Sequence, residues 1–141
     1  MAIRTSAFAV SVALAATASL TAQISHTHLS TIQSSNQEGE IVAFDSASGR
    51  YFVTNPQSNE LDVYVASATG GLSHVVSIAL AGAPNSVAVH SGLVAVAVEG
   101  ATPQDFGSVQ FFDAATGLAN GAAVTVGALP DMVAFTPNGQ K

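Results

Sequence analysis

Glu40-Ile41-Val42-Ala43-Phe44 is written again as Asn85-Ser86-Val87-Ala88-Val89 and a third time as Asp131-Met132-Val133-Ala134-Phe135. Each copy has a polar start and an apolar continuation, and the copies recur about every 45 residues. Self-similarity at that period, built from short β-type runs, is the sequence signature of a β-propeller with one four-stranded blade per repeat. The expected class is all-β, a partial propeller of antiparallel four-stranded blades in which about two and a half blades are present. Blade one covers 40–82, blade two 83–127, and the start of a third 128–141, all within one domain over 23–141.

Within blade one the pattern places an inner strand at Ile41–Asp45, a turn at Ser46–Gly49, and further strands at Arg50–Thr54, Leu61–Val65 and His74–Leu80. Blade two repeats the plan with Ser86–His90, Leu93–Val98, Ser108–Asp113 and Ala122–Val126. Every connection is short, which forces antiparallel neighbours and leaves no room for crossover helices. Leu93–Val98 is apolar on both faces, as a strand covered on both sides must be. Ile24–Ile32 reads as an edge strand ahead of the repeats and Ser34–Gln37 as loop. After Phe135 the turn Thr136-Pro137-Asn138-Gly139-Gln140 leads to Lys141 where a hairpin partner is due, so the chain reads as the N-terminal part of a longer protein.

Composition narrows the partners. The chain has 48% hydrophobic and 9% charged residues and no Cys, so it has the apolar content to fold and no disulfide framework or thiol chemistry. Three basic residues stand against nine acidic ones, a net charge of −6. That balance argues against nucleic acid and anionic membrane surfaces, both of which are bound through Lys and Arg. Residues 1–22 read as a secretory signal peptide: Arg4 opens it, Ala7 to Ala16 form the apolar stretch, and Leu20-Thr21-Ala22 or Ala16-Thr17-Ala18 supplies a small-residue cleavage site. Ser6, Ser11, Thr17, Ser19 and Thr21 interrupt the run too often for a membrane anchor, and no later run is long enough to span.

Glu40, Asn85 and Asp131 share one repeat position, just before each inner strand. In a propeller that position rings the mouth of the central channel, and two carboxylates with an amide oxygen are a ligand set suited to Ca²⁺. The competing reading is that each caps its own turn. Asn55 and Glu99 end the two second strands and are further candidates for a metal or, for Glu99, a general base. Asp45 and Asp113 enter turns and read as structural. His26 and His28 are two ligands at most, and with His74 and His90 they read as surface histidines. The Gly100–Gly107 loop, longer than its counterpart in blade one, reads first as a variable solvated loop and second as a place for recognition. No Gly-x-Ser-x-Gly elbow and no phosphate-cradling glycine loop occurs.

Glu40-Ile41-Val42-Ala43-Phe44-Asp45, Phe52-Val53-Thr54-Asn55, Asn59-Glu60-Leu61-Asp62-Val63, Pro84-Asn85-Ser86-Val87-Ala88-Val89, Gly92 to Glu99 and Leu129-Pro130-Asp131-Met132 together resemble the start of the choice-of-anchor I family. Tyr51-Phe52-Val53-Thr54-Asn55 is also similar to the Tyr-Val-Thr-Asn repeats of surface-layer propellers. The resemblance implies an exported bacterial propeller, secreted or held at the cell surface, that acts as a binding or structural module toward an extracellular or cell-surface ligand. It carries over no catalytic residue. Some of these proteins are described as alkaline phosphatase-like, which makes a metal-dependent phosphoesterase with an acidic channel mouth the rival expectation.

Overall fold

The computed structural model describes residues 25–33 and 38–139. The expected signal peptide and the Ser34–Gln37 loop lie outside them. Eight strands build two antiparallel four-stranded sheets, each a simple meander: β1 (Val42–Asp45), β2 (Arg50–Asn55), β3 (Glu60–Ala66) and β4 (Leu72–Ala79), then β5 (Pro84–His90), β6 (Leu93–Val98), β7 (Phe106–Asp113) and β8 (Val124–Ala128). Among the described residues there is no helix, and so none long and apolar enough to cross a membrane.

Turn chemistry accounts for the hairpins. The β5–β6 hairpin turns on two residues, Ser91 at φ 48° and Gly92 at φ 79°. Two successive positive φ values make the mirror-image turn whose twist matches its flanking strands. The β1–β2 hairpin uses four residues, and Asp45 Oδ2 accepts from Ser48 N at 2.8 Å, the structural role expected of it. Asp113 does the same after β7, its Oδ1 accepting from Ala115 N, Thr116 N and the Thr116 hydroxyl. That hydroxyl, with the Thr116 amide behind it, holds the Asp113 carboxyl below its ordinary value.

The two sheets pack face to face, and the alternation of each strand decides which side is inside. Phe52, Leu61 and Val63 of the first sheet meet Val87, Val94, Val96, Val98 and Phe112 of the second, with Ala43, Ile78, Leu80 and Val89 around them. Ala95 and Ala97 point to the other face of the second sheet and are also buried, so β6 is covered on both sides as its sequence demands.

Three expectations need correction. Residues 25–33 form no strand. They lie as irregular chain along the 67–72 turn, where the Ser30 hydroxyl donates to the Gly70 carbonyl at 2.8 Å. A polar stretch held by side chains has no ladder to join, and the four-strand meander beside it is already complete. The last strand of the second sheet starts at Val124 rather than Ala122. Residues 118–120 first pair with β7 through Asp113 N to Leu118 O and Asn120 N to Phe111 O. The chain then bends at Gly121 before pairing resumes.

The third repeat copy is not a strand either, but it is placed as the repeat requires. Pro130 lies against Gly107, Val133 N donates to Ser86 Oγ at 3.2 Å, and the Phe135 ring stacks on His90 with centroids 5.6 Å apart. The segment therefore runs along β5 on the outer face of the second sheet. A Cβ at Gly107 would stand 2.5 Å from Pro130 Cδ and 2.7 Å from the Val98 carbonyl oxygen. Gly107→Ala is expected to lower stability by about 1–3 kcal/mol, as forced overpacking does. A thermal scan checks this, and an unchanged melting temperature would mean that the 130–139 segment does not sit there.

Candidate binding site

Asp62 is an acid in the middle of the apolar run Leu61-Asp62-Val63-Tyr64, and strand alternation turns it to the face of the first sheet away from the core. Register then brings its neighbours to it: Ser77 lies directly opposite on β4, and Tyr64 and His74 form the next pair along. The carboxylate is buried. Ser77 Oγ donates to Oδ1 at 2.5 Å, Asn55 Nδ2 to Oδ2 at 3.2 Å, and Tyr64 OH makes a long contact to Oδ2 at 3.5 Å. His74 Nε2 sits 3.0 Å from Ser77 Oγ and 3.8 Å from Asp62 Oδ1. The Ser77 proton is directed at the carboxylate, so Nε2 must carry a hydrogen and donate to the serine.

A cavity of about 250 Å³ opens over this group, lined by Gln33, Asp62, Tyr64, His74 and Ser77. The Tyr64 and His74 rings meet edge to face at 5.3 Å along its wall. Burial first, then the Asp62 charge and its hydrogen bond, raise the Tyr64 phenol above its ordinary value. Asn55 Oδ1 is buried and has no hydrogen-bond partner, a cost of order 1–3 kcal/mol for the amide that orients the carboxylate.

The residues singled out by sequence fall in three places. Asn55 belongs to the Asp62 cluster. Asn85 and Glu99 come together, with Asn85 Nδ2 donating to Glu99 Oε1 at 2.9 Å and to the Pro130 carbonyl at 3.2 Å. Glu40 is exposed just before β1 and Asp131 is exposed in the irregular segment after β8, and the Glu40 backbone amide bonds Thr54 O at 3.1 Å. Among the described residues, no three His, Asp or Glu side chains gather in a way that could hold a metal ion.

Asn55 and Glu99 are also not equivalent in register. Val42 faces Val53 and Val87 faces Val96, so the repeat matches Asn55 to Val98 and leaves Glu99 one residue beyond. The four-residue turn of the first hairpin and the two-residue turn of the second account for the slip. By the same register Asp62 matches Gln110 and Tyr64 matches Phe112.

Sequence reading left Asp62 and Ser77 unmarked and took His74 for a surface histidine. The available signal was a lone carboxylate inside an apolar strand, which burial makes costly unless it is partnered. No curated protein and no solved structure shows significant similarity to the chain. The model of the choice-of-anchor I domain, however, matches residues 40–141. An all-β chain of repeated four-stranded sheets that matches this model over most of its length belongs to the choice-of-anchor I family.

Proposed function

We propose that the protein is an exported, surface-associated β-propeller unit that serves as a binding or structural module and carries out no catalysis. The family name denotes anchoring at the cell surface, and the leader read in residues 1–22 gives a route there. One observation carries the module reading. The outer face of the first sheet occupies the same repeat positions as the face by which the second sheet packs on the first. Val42 matches Val87, yet Val42 is 62% exposed and Val87 only 6%. Phe44, which matches Val89, is 50% exposed. A face patterned for contact and left partly open is a surface for a neighbour.

The side-chain chemistry of the described residues favours recognition over turnover. Ser77 Oγ lies within reach of the His74 imidazole but donates its proton to Asp62 and accepts from His74, so it is not arranged as a nucleophile activated by that base. Phosphate chemistry would further call for basic groups, of which the whole chain has three. The test is fractionation of cells producing the full chain with a C-terminal tag. The expected product lies outside the cytoplasm and begins near residue 23. An uncleaved chain in the cytosol would overturn export, and phosphomonoester hydrolysis by the purified protein in the presence of divalent cations would overturn the non-catalytic reading.

A further inference from the structure

Resting on the reading of a binding module, we propose that the cavity over Asp62 takes a small organic cation, the protonated primary amine of a free alkylamine or of a lysine side chain. Asp62 is a carboxylate removed from water, with three neutral donors converging on it. Buried carboxylates are retained where a cation completes them. Arg50 does not serve: it pairs with Asp45 and Val65, on the opposite side of the sheet from Asp62. The nitrogen group set beside Asp62 is the His74 imidazole, 3.8 Å away, half exposed, and hydrogen-bonded to Ser77, which supplies a counter-charge only when protonated. The carboxylate thus faces a cavity with an incomplete counter-charge.

The walls choose the class of cation. A metal ion needs several converging ligands, and no three His, Asp or Glu groups assemble among the described residues. The Tyr64 ring presents aromatic surface, to which ammonium groups are attracted. Ser77 Oγ and Gln33 add polar atoms that can orient N–H donors. About 250 Å³ is below the range of pockets for drug-sized ligands, so the cavity admits a head group of few atoms. The acidic chain would also draw such cations toward it.

This site has no counterpart in the second sheet. There the matching positions are Gln110 for Asp62, Phe112 for Tyr64 and Val98 for Asn55. The polar group was placed in one repeat and not the other, as a site would be and as a generic packing face would not.

Calorimetric titration of the purified full chain with butylammonium chloride, and separately with Nα-acetyl-lysine methylamide, tests the proposal, with sodium chloride as the control. Saturable one-site binding of at least one amine is expected. Asp62→Asn should weaken it about tenfold or more, and His74→Gln, which removes the half-exposed imidazole that competes for Asp62 when it is protonated, should tighten it severalfold under those conditions. Binding of butylammonium alone identifies a free amine as the source; binding of the lysine derivative identifies a partner's lysine. Absence of binding by both amines, or binding indifferent to Asp62→Asn and His74→Gln together, overturns the proposal. Because His74 is half exposed and His74→Gln leaves Asp62 with its three donors, its result stands even where Asp62→Asn fails to fold. A protein that is exported but binds no amine would leave the module reading intact and remove only this one.

Discussion

Phe52→Ala lowers the free energy of unfolding by about 3–5 kcal/mol, the range for emptying a large aromatic side chain from a packed core. Phe52 sits on β2 between Ala43 and Val63 in register, completely buried, on the face that meets the second sheet. Its ring belongs to the cluster that includes Val87, Val94, Val96 and Val98, so removing it opens a void at the one place where the two repeats hold each other. Neither sheet can fill that void by local adjustment, because each is fixed by its own ladder. Domains of ordinary stability have about 5–15 kcal/mol to lose. The variant should therefore unfold at a much lower urea concentration, while Phe52→Leu, which keeps most of the volume, should lose less than about 1.5 kcal/mol. A Phe52→Ala loss under about 1 kcal/mol would mean that the sheets do not share this core.

The same residue shows why so much of the fold was legible. Phe52 and Val63 stand in runs whose alternation is unambiguous, and between the runs lie Ser-Ala-Ser-Gly, Pro-Gln-Ser-Asn and Ser-Gly, whose turn chemistry permits little else. Local preference and burial agree there, so strands such as Leu93–Val98 come out with their ends in place. Ile24–Ile32 misled because alternation without a partner strand is only a permissive pattern; its structure was decided by a tertiary contact, Ser30 on Gly70, that no local rule contains. The Asp62 cluster was not legible for a related reason. Repeat position draws the eye to Glu40, Asn85 and Asp131, whereas the buried cluster forms across strands. Asp62 and Ser77 are brought together by register, and a β-bulge between Val63 and Tyr64 then sets His74 opposite Tyr64. That bulge shifts pairing by one residue and so decides which side chain reaches the carboxylate. Asn55 alone was marked by both routes, and in the structure its amide donates to Asp62.

Asp62→Ala should cost about 2–4 kcal/mol, second only to loss of Phe52, and it should do so by a different route. No large cavity is made; instead Asn55 Nδ2 and the Ser77 and Tyr64 hydroxyls lose the acceptor on which they converge. Each buried donor left unmade costs about 1–3 kcal/mol, and the cavity lets water recover part of that on the Ser77 and His74 side. Asn55 cannot be rescued in this way, since its amide is fully buried and its oxygen already lacks a partner. Ser77→Ala alone should cost about 1 kcal/mol, and the double variant should cost less than the two singles together, because once the acceptor is gone its donor contributes nothing. The tyrosines report the same network independently. With the Tyr64 phenol raised in the folded protein, its neutral form supports folding below the ordinary tyrosine range. That support is lost as pH rises through the folded value, where the unfolded chain gives up its proton more readily. Asp62→Ala removes the charge and the hydrogen bond but not the burial. Phenolate absorbance should then show Tyr64 titrating closer to its ordinary value, and the alkaline decline in stability should be shallower than in the parent. An unmoved Tyr64 titration combined with a stability loss below about 0.5 kcal/mol would show that Asp62 is solvated and holds nothing together.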